Sequence, residues 1–352
     1  MSETKVHTAL YRKYRPAGFK EVIGQESIVS TLEGEIKSGA IAHAYLFAGS
    51  RGTGKTSIAR ILAKEIGTSE ADLYEIDAAS NRGIDDIREI RESVNTLPFE
   101  SKYKVFIVDE VHMLTKEAFN ALLKTLEEPP AHVIFILATT EMEKLPETVI
   151  SRCQVFNFKK PSPEILKSVV TKTAKKEGRV IDPAAAELVA MMGEGSFRDT
   201  LGILQKALAS TEGGKSENIS LEEVEEIVGA PKNVWLNDLL GAIATKDLPK
   251  ALELVSKASS ADIDMKLFAK LLIQKARYVL LLRYAPELEG HIKGEVTEAD
   301  LAFLKKLAAE KDTHITSAVL SELLAASDQI GRASIASLPL ELALIKVLGQ
   351  NS

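Results

Sequence analysis

The sequence contains little cysteine, few aromatic residues and no long apolar run. Its single cysteine, Cys153, excludes a disulfide framework and a cysteine-rich zinc site within the chain, and it indicates a reducing, intracellular setting. Aromatic residues make up 5% of the chain, which disfavours extended stacking of single-stranded bases. No apolar run reaches the roughly 18 residues that a membrane span needs, and the first residues lack the apolar core of a signal peptide, so we expect a cytosolic protein.

Neither sign of charge dominates the composition. A net charge of −6 argues against binding nucleic acid through a bulk positive charge, and it leaves room for a local basic track. With 45% hydrophobic and 27% charged residues in 352 positions, the chain is typical of a globular protein with two or three domains. The 6 histidines show no ligand spacing, so we expect no metal site built from them.

The chain is organised around a glycine-rich octet that follows an apolar run and precedes a helical pattern. The glycines let backbone N–H groups turn towards phosphates, and the start of the helix adds a partial positive charge. Lys55 would reach the β- and γ-phosphates, and the Thr56 hydroxyl would hold Mg²⁺. The pattern therefore predicts a phosphate-binding P-loop. The residues expected around the phosphates are Gly49, Ser50, Arg51, Gly52, Thr53, Gly54, Lys55, Thr56 and Ser57.

A second decisive stretch ends in two adjacent carboxylates. Residues 105–108 are apolar without alternation, which is typical of a central parallel strand covered on both faces. Asp109 and Glu110 follow at the exit of this strand, at the sheet edge where the P-loop also opens. Asp109 would bind the Mg²⁺ shell through water, and Glu110 would orient and deprotonate the attacking water.

Three further positions each allow more than one interpretation. The hydroxyl of Thr140, next to Thr139, would sense the γ-phosphate through a water or would simply cap its strand. Arg152 would complete the site of its own chain, reach the nucleotide of a neighbouring subunit, or form an ordinary salt bridge. Arg198 would contact a phosphate from a lid or pair with Asp199 at a helix start.

The basic and aromatic segment 10–16, which comes before the P-loop, also has two interpretations. It would close over a purine base, or it would pack as a surface arm through its aromatic side chains.

Strand and helix patterns alternate up to residue 158 and predict an α/β fold built on a parallel sheet. We expect this P-loop ATPase domain to span residues 1–160. Helical patterns predict a small helical lid over 161–230 and, after a glycine- and proline-containing linker, a helical domain over 231–352. The broad apolar stripe of 264–284 suits the core of a helix bundle, with a subunit interface as the alternative.

Several motifs, taken in order, resemble the gamma/tau subunits of the bacterial DNA polymerase III clamp loader, a family of AAA+ ATPases. The resemblance is motif-specific over residues 10–230, and over 233–352 it rests on helical pattern alone. The motifs are 12–16 with Gly24-Gln25, the P-loop octet, 76–80, 109–114, 119–130, 137–140, Ser151-Arg152-Cys153 and 195–199.

The resemblance assigns roles that the residues alone left open. It implies that Arg152 is a finger that reaches the ATP of the neighbouring subunit, that Thr140 is sensor 1, and that Arg198 is sensor 2. It also implies that the last domain is a collar through which five clamp-loader subunits assemble. The adenine pocket would be lined by Tyr11, Arg12, Arg15, Val22 and Ile23.

The function implied by the resemblance is that of an ATP-hydrolysing subunit, with Mg²⁺-bound ATP, that helps to open a sliding clamp and load it onto primer-template DNA. The expected setting is the bacterial cytoplasm at the nucleoid, with no membrane involved. DNA would be gripped through its backbone, independently of sequence. The candidate DNA contacts are Ser80, Asn81, Arg82 and Lys116.

The sequence departs from the family pattern in two respects. The family usually carries a four-cysteine zinc module after the P-loop helix, whereas residues 65–72 bridge this position without cysteine. We therefore expect no zinc. The long tail of tau forms is also absent, as in a short gamma-type product or a truncated chain.

Two rival functions belong to different classes. One is a hexameric AAA+ branch-migration helicase, which would translocate on duplex DNA without a clamp. The other is a scaffold that binds nucleotide without turning it over, which the complete set of Lys55, Asp109, Glu110 and Arg152 disfavours.

Overall fold

The computed structural model describes residues 8–80, 92–211, 218–293, 295–310 and 312–349. The chain divides into two compact units, Met1–Val169 with Ala190–Gln205 and Val170–Val189 with Lys206–Ser352. The predicted boundaries at 160 and 230 stay a prediction, because the divisions between the two units fall within three helices of the segment 163–211.

The first unit is built on a parallel sheet with the strand order β2 (73–77), β3 (104–109), β4 (133–139), β1 (44–48) and β5 (154–157). Apolar patterns predict strands at 44–48, 73–77, 105–108, 133–138 and 155–158. All of them are present, with ends that differ from the predicted ones by at most one residue. The strands β1, β3 and β4 are apolar because both of their faces are covered. The strands are β1 (Ala44–Ala48), β2 (Leu73–Asp77), β3 (Lys104–Asp109), β4 (Val133–Thr139) and β5 (Gln154–Asn157).

Two hydrophobic layers enclose this sheet, and alternate residues of each central strand enter opposite layers. In β3, for example, Phe106 packs into one layer and Ile107 into the other. The period of two follows from the pleat of the strand. One layer is completed by the helix 116–127 and the other by the helices 26–38 and 55–65. The helices of this part of the chain are α1 (Leu10–Lys13), α2 (Glu26–Ser38), α3 (Lys55–Glu65), α4 (Lys116–Glu127) and α5 (Glu147–Ile150).

The charged, amphipathic pattern of residues 84–94 predicts a helix, and residues 84–91 of this segment lie outside the described residues. Residues 92–94 are helical.

The described residues of the region predicted as a helical lid, 161–211 and 218–230, form four helices: α6 (Pro163–Lys176), α7 (Pro183–Met192), α8 (Phe197–Thr211) and α9 (Leu221–Val228). The spacing of Ser220 and Glu223 in the sequence predicts a capping box. It is confirmed at the start of α9, where the two residues bond reciprocally. The expectation that strands end before this region was wrong. A parallel pair, β6 (Val180–Ile181) and β7 (Asn218–Ile219), forms here, and strands of two residues are too short to show a period.

The second unit contains a helix bundle whose core is centred on one long helix. This helix, α12 (Met265–Tyr284), buries Phe268, Leu272, Ala276 and Val279 against its neighbours, which confirms the bundle-core interpretation of its apolar stripe. The bundle helices are α10 (Asn233–Ala244), α11 (Leu248–Ser260), α12 (Met265–Tyr284), α13 (Glu289–Lys293), α14 (Glu298–Ala309), α15 (Ser317–Ile330) and α16 (Leu338–Leu348). In the part of the chain that is described, no helix combines the length and apolarity of a membrane span.

Candidate nucleotide-binding site

The glycine-rich octet forms a tight loop between the end of β1 and the start of α3. Gly49, Gly52 and Gly54 have φ angles of 149°, 72° and 103°, a region that side-chain-bearing residues avoid. At Gly52 space is also restricted, because a Cβ atom there would lie 2.0 Å from Ser196 Oγ. The loop therefore requires glycine at this position for both conformation and packing.

Lys55, the first residue of α3, folds its ammonium group back into the loop. Its Nζ donates hydrogen bonds to the carbonyl oxygens of Gly49 (2.7 Å) and Ser50 (3.0 Å). Burial lowers the pKa of Lys55, and the carboxylates of Glu110 and Asp109 counteract this effect. The amine thus lies within the glycine-rich turn, close to two negative charges and in a position to meet a phosphate.

Thr56 and Asp109 come from different elements and meet at the same sheet edge. The Thr56 hydroxyl donates a 2.7 Å hydrogen bond to Asp109 Oδ2. Hydroxyl and carboxylate oxygens are the hard donors that Mg²⁺ prefers. The two residues predicted to hold the magnesium ion are therefore adjacent, and their chemistry fits it.

Glu110 leaves β3 with a left-handed backbone, φ 48° and ψ 45°, which is uncommon for a residue with a side chain. Its Oε2 accepts hydrogen bonds from Thr140 Oγ1 at 2.9 Å and from Thr140 N–H at 3.3 Å. Neighbouring strands β3 and β4 bring the two residues together. Thr140 thus contacts the carboxylate directly.

Sequence reasoning missed His112, which lies beside this pair. Its side chain is only 5% exposed, with Nδ1 at 3.0 Å from Thr139 Oγ1 and Nε2 at 3.3 Å from Glu141 Oε1. A metal-ligand spacing does not identify this histidine, because its partners are a threonine and a glutamate. Its position two residues after Glu110 is the signal that points to it.

The start of α8, which carries Arg198, packs directly onto the P-loop. The backbone N–H of Phe197 donates a 2.9 Å hydrogen bond to the carbonyl oxygen of Gly52. The guanidinium carbon of Arg198 lies 5.7 Å from the centre of the Tyr11 ring, within the range of a cation–π contact. The structure therefore brings Arg198, the P-loop and the N-terminal segment together.

The N-terminal segment contributes further arginines to this region. Arg12 also lies 5.7 Å from the Tyr11 ring centre. Burial lowers the pKa of Arg15, and the charges of Arg60, Arg198 and Arg12 lower it further, although Glu75 acts in the opposite sense. The buried Nε atom of Arg15 makes no hydrogen bond with the described residues. This clustering of positive charge favours an anion nearby.

The two apolar residues predicted for the adenine pocket are less enclosed than the sheet residues. Val22 packs against the layer that contains α2 and α3, and Ile23 is 39% exposed.

The structure does not bring Arg152 to the P-loop of its own chain. Its guanidinium donates to Glu127 Oε1 at 2.7 Å and to the Thr148 carbonyl oxygen at 2.6 Å. Arg152 precedes β5, which runs parallel to β1 with Gln154 opposite Tyr45. It therefore lies at the amino edge of the sheet, whereas the P-loop follows the carboxyl end, about 10 Å or more away along the strand.

The candidate DNA contacts are only partly covered by the structure. Ser80 donates a 3.1 Å hydrogen bond to Asp77 Oδ2, and Lys116 is exposed at the start of α4. Asn81 and Arg82 lie outside the described residues.

The segment that stands in place of the zinc module has a role of its own in the fold. After α3, the chain enters a short 3₁₀ turn ending in Asp72, which is fully buried. Burial alone would raise the pKa of Asp72, but hydrogen bonds from the backbone N–H groups of Phe99, Glu100 and Ser101 hold it well below its usual range. The expectation of no zinc stays a prediction.

Comparison with known proteins places these features in a family. A family model described as DNA polymerase III, delta subunit, matches residues 24–78 and 68–162. A second, described as DNA polymerase III subunits gamma and tau, domain III, matches residues 219–352.

Individual bacterial proteins are similar over most of the chain. The DNA polymerase III subunit tau of Bacillus subtilis is 39% identical over 305 residues, which are 81% of this chain and 54% of that protein. The subunit tau of Escherichia coli is 35% identical over 306 residues, 81% of this chain and 47% of that protein. The subunit gamma of Buchnera aphidicola is 36% identical over 304 residues, 80% of this chain and 83% of that protein.

Among solved structures, the RuvB branch-migration motor of Thermotoga maritima superimposes with a TM-score of 0.53 at 24% identity, covering 65% of this chain and 79% of that chain. Together with the parallel sheet and the P-loop, this likeness defines an AAA+ fold followed by helices.

The chain belongs to the gamma/tau family of DNA polymerase III subunits, because it is 36% identical to the Buchnera subunit gamma over 83% of that protein. The family resemblance of its motifs is thereby confirmed. The chain spans about half the length of the Bacillus and Escherichia relatives that it matches, 54% and 47%.

Proposed function

We propose that this chain is an ATP-hydrolysing subunit of a clamp loader, which helps to open a sliding clamp and load it onto primer-template DNA. The observation that carries the proposal is the meeting of Lys55, Thr56, Asp109 and Glu110 at the carboxyl edge of one parallel sheet. Membership of the gamma/tau family supports the replication setting.

The P-loop would bind the phosphates of ATP. Backbone N–H groups of residues 49–54 and the start of α3 would face the phosphate oxygens. Lys55 would exchange its bonds to the loop carbonyls for bonds to the β- and γ-phosphates. Thr56 and Asp109 would hold Mg²⁺, which when bound neutralises the charge on the phosphates.

Glu110 would act as the general base. Held by Thr140 at the ends of β3 and β4, its carboxylate would orient a water molecule and accept its proton. The water oxygen forms a bond to the γ-phosphorus while the bond from this phosphorus to the β–γ bridging oxygen breaks, which gives ADP and phosphate. Thr140 would thereby link the state of the γ-phosphate to the position of the base.

Arg152 would serve the site of a neighbouring subunit. Its place at the amino edge of the sheet argues against action on its own nucleotide. The bonds to Glu127 and Thr148 hold the guanidinium in one orientation on the surface. Arginine fingers supplied in this way contribute about 10³ to 10⁵ in rate.

The remaining residues would bind the base and sense the γ-phosphate. Arg198 would reach the γ-phosphate from the start of α8, and its contact with Tyr11 would place the N-terminal segment over the adenine. The negative charge of the nucleotide would balance the positive charge of the arginines in this segment.

The helical domain over 231–352 would assemble the chain with other clamp-loader subunits into a pentamer. DNA would be held through its backbone without regard to sequence. The expected place of action is the bacterial cytoplasm, at the nucleoid. No zinc would be required.

The test is an ATPase assay of the chain reconstituted with the clamp-loader partners and sliding clamp of its source, with and without primed DNA. We expect hydrolysis to rise when clamp and primed DNA are both present, and Glu110→Gln to abolish the rise while nucleotide binding persists. An ATPase rate that does not change with the clamp, together with branch migration of duplex DNA, would support the helicase alternative. Tight binding with no turnover by the wild-type assembly would support the scaffold alternative.

A further inference from the structure

His112 connects the ends of two strands next to the proposed base. It lies after β3, and its partners Thr139 and Glu141 lie at and after the end of β4. Thr139 is fully buried, and the imidazole is nearly so. A buried polar contact of this kind has a defined arrangement of protons, because an unpaired buried donor or acceptor is costly.

One assignment of protons satisfies all members of this cluster. Thr139 Oγ1 accepts a hydrogen bond from the Glu141 backbone N–H at 3.1 Å, so its own proton can go to His112 Nδ1 at 3.0 Å. The imidazole proton is then on Nε2, which faces the Glu141 carboxylate at 3.3 Å. Lys144, 2.6 Å from the other oxygen of Glu141, keeps that carboxylate in place.

This tautomer determines which partner Glu110 can have. Glu110 Oε2 lies 3.5 Å from His112 Nδ1, and with Nδ1 acting as an acceptor the imidazole offers no proton to it. Among the described residues, the donors that bond to Glu110 Oε2 are therefore the hydroxyl and N–H of Thr140. A proton on Nδ1 would instead create a second, competing partner for the same carboxylate oxygen.

We propose that His112 is a positioning residue for Glu110, which keeps the carboxylate on Thr140 by accepting the Thr139 proton at Nδ1 and donating from Nε2 to Glu141. The inference rests on the proposed function, since Glu110 matters as a base only if the chain hydrolyses ATP. His112 itself touches no reacting atom in this scheme. Its effect is on the geometry of the base and on the spacing of the two strand ends.

Two amide substitutions of His112 distinguish the role of Nδ1 from the role of Nε2. In His112→Asn the amide oxygen can take the place of Nδ1 and accept from Thr139, whereas in His112→Gln the longer amide reaches towards Glu141 and leaves Thr139. Glu141→Gln keeps an oxygen that can accept a hydrogen bond from Nε2. It removes the negative charge that favours the imidazole proton on Nε2. The control is His43→Gln, at an exposed histidine before β1.

The measurement is kcat and KM for ATP in the reconstituted assembly with clamp and primed DNA, together with nucleotide affinity. We expect kcat of His112→Gln to fall about tenfold or more, with KM and affinity within about twofold of wild type, because small displacements of a base have large effects on rate. His112→Asn should retain most of kcat, Glu141→Gln should be intermediate, and His43→Gln should match wild type.

Equal kcat values for the Asn and Gln variants, or a higher one for Gln, would overturn the proposal. A loss of nucleotide affinity in step with kcat would also overturn it, by showing a merely structural role. If the wild-type assembly does not hydrolyse ATP, the proposed function has failed instead, and the two failures are thereby distinguished.

Discussion

The hydroxyl of Thr56 donates a 2.7 Å hydrogen bond to the carboxylate of Asp109, a residue 53 positions away in the sequence. The contact joins the first turn of α3 to the end of β3, two strands away from β1 in the sheet. Both oxygens are ligands suited to Mg²⁺, and the fold itself holds them within hydrogen-bond distance of each other.

The Thr56–Asp109 pair predicts a specific dependence on magnesium. Thr56→Ala should lose about tenfold or more of the Mg²⁺-dependent part of ATP affinity, because it removes an oxygen ligand of the ion. Titration of a fluorescent ATP analogue with and without Mg²⁺ measures this. Thr56→Ser, which keeps the hydroxyl, should behave as wild type, and an unchanged magnesium response in Thr56→Ala would contradict the assignment.

The packing of Gly52 against Ser196 predicts a second-site rescue. Gly52→Ala should weaken nucleotide binding, since its Cβ would lie 2.0 Å from Ser196 Oγ and would disrupt the hydrogen bond from Phe197. Adding Ser196→Gly removes the obstructing atoms and should recover part of the affinity, although a left-handed residue still costs about 1–2 kcal/mol.

The matched control for this rescue is Gly54→Ala. This glycine also has a positive φ, but nothing lies within 4 Å of a Cβ atom built there. Ser196→Gly should therefore give no recovery in that background. A rescue of both alanine variants, or of neither, would rule out the proposed contact as the cause.

The buried carboxylate of Asp72 predicts a pH-dependent stability. Because its pKa is lower in the folded state, its contribution is complete above the unfolded value of about 3.9 and is lost as the pH falls towards and through the folded pKa. Asp72→Asn should lower the free energy of unfolding by about 2 kcal/mol or more at neutral pH. Urea unfolding at several pH values measures both effects.

An exposed aspartate provides the comparison for Asp72. Asp238→Asn, on the surface of α10, should leave the free energy of unfolding within about 0.5 kcal/mol of wild type. If Asp72→Asn is equally harmless at neutral pH, the three backbone hydrogen bonds do not stabilise the fold as inferred.

The position of Arg152 predicts an effect on a neighbour. In assemblies that mix wild-type and Arg152→Ala chains, the variant should still bind ATP, while the adjacent wild-type site should lose about 10³-fold or more in hydrolysis rate. Arg152→Lys should restore little of the neighbour's hydrolysis rate, since lysine lacks the planar arrangement of N–H donors that arginine has. Undiminished hydrolysis by the wild-type neighbour would exclude the finger role.

The sequence by itself determined the local elements and the chemical nature of the main motif. Uninterrupted apolar runs are sufficient to predict β1, β3 and β4, because a strand covered on both faces needs apolar residues throughout. The octet with its glycines specifies a loop conformation directly, and Ser220 with Glu223 specifies a helix start. Such features depend on neighbours in the chain and can be recognised from residue types and spacing.

Only the tertiary structure decided which polar groups meet. The strand order places Thr56 beside Asp109 and Thr140 beside Glu110, and it places Arg152 at the opposite edge from the P-loop of its own chain. His112 escaped sequence reasoning because its partners belong to another strand. The physical reason is that a polar side chain acquires its role from groups brought close by folding, which local periodicity does not encode.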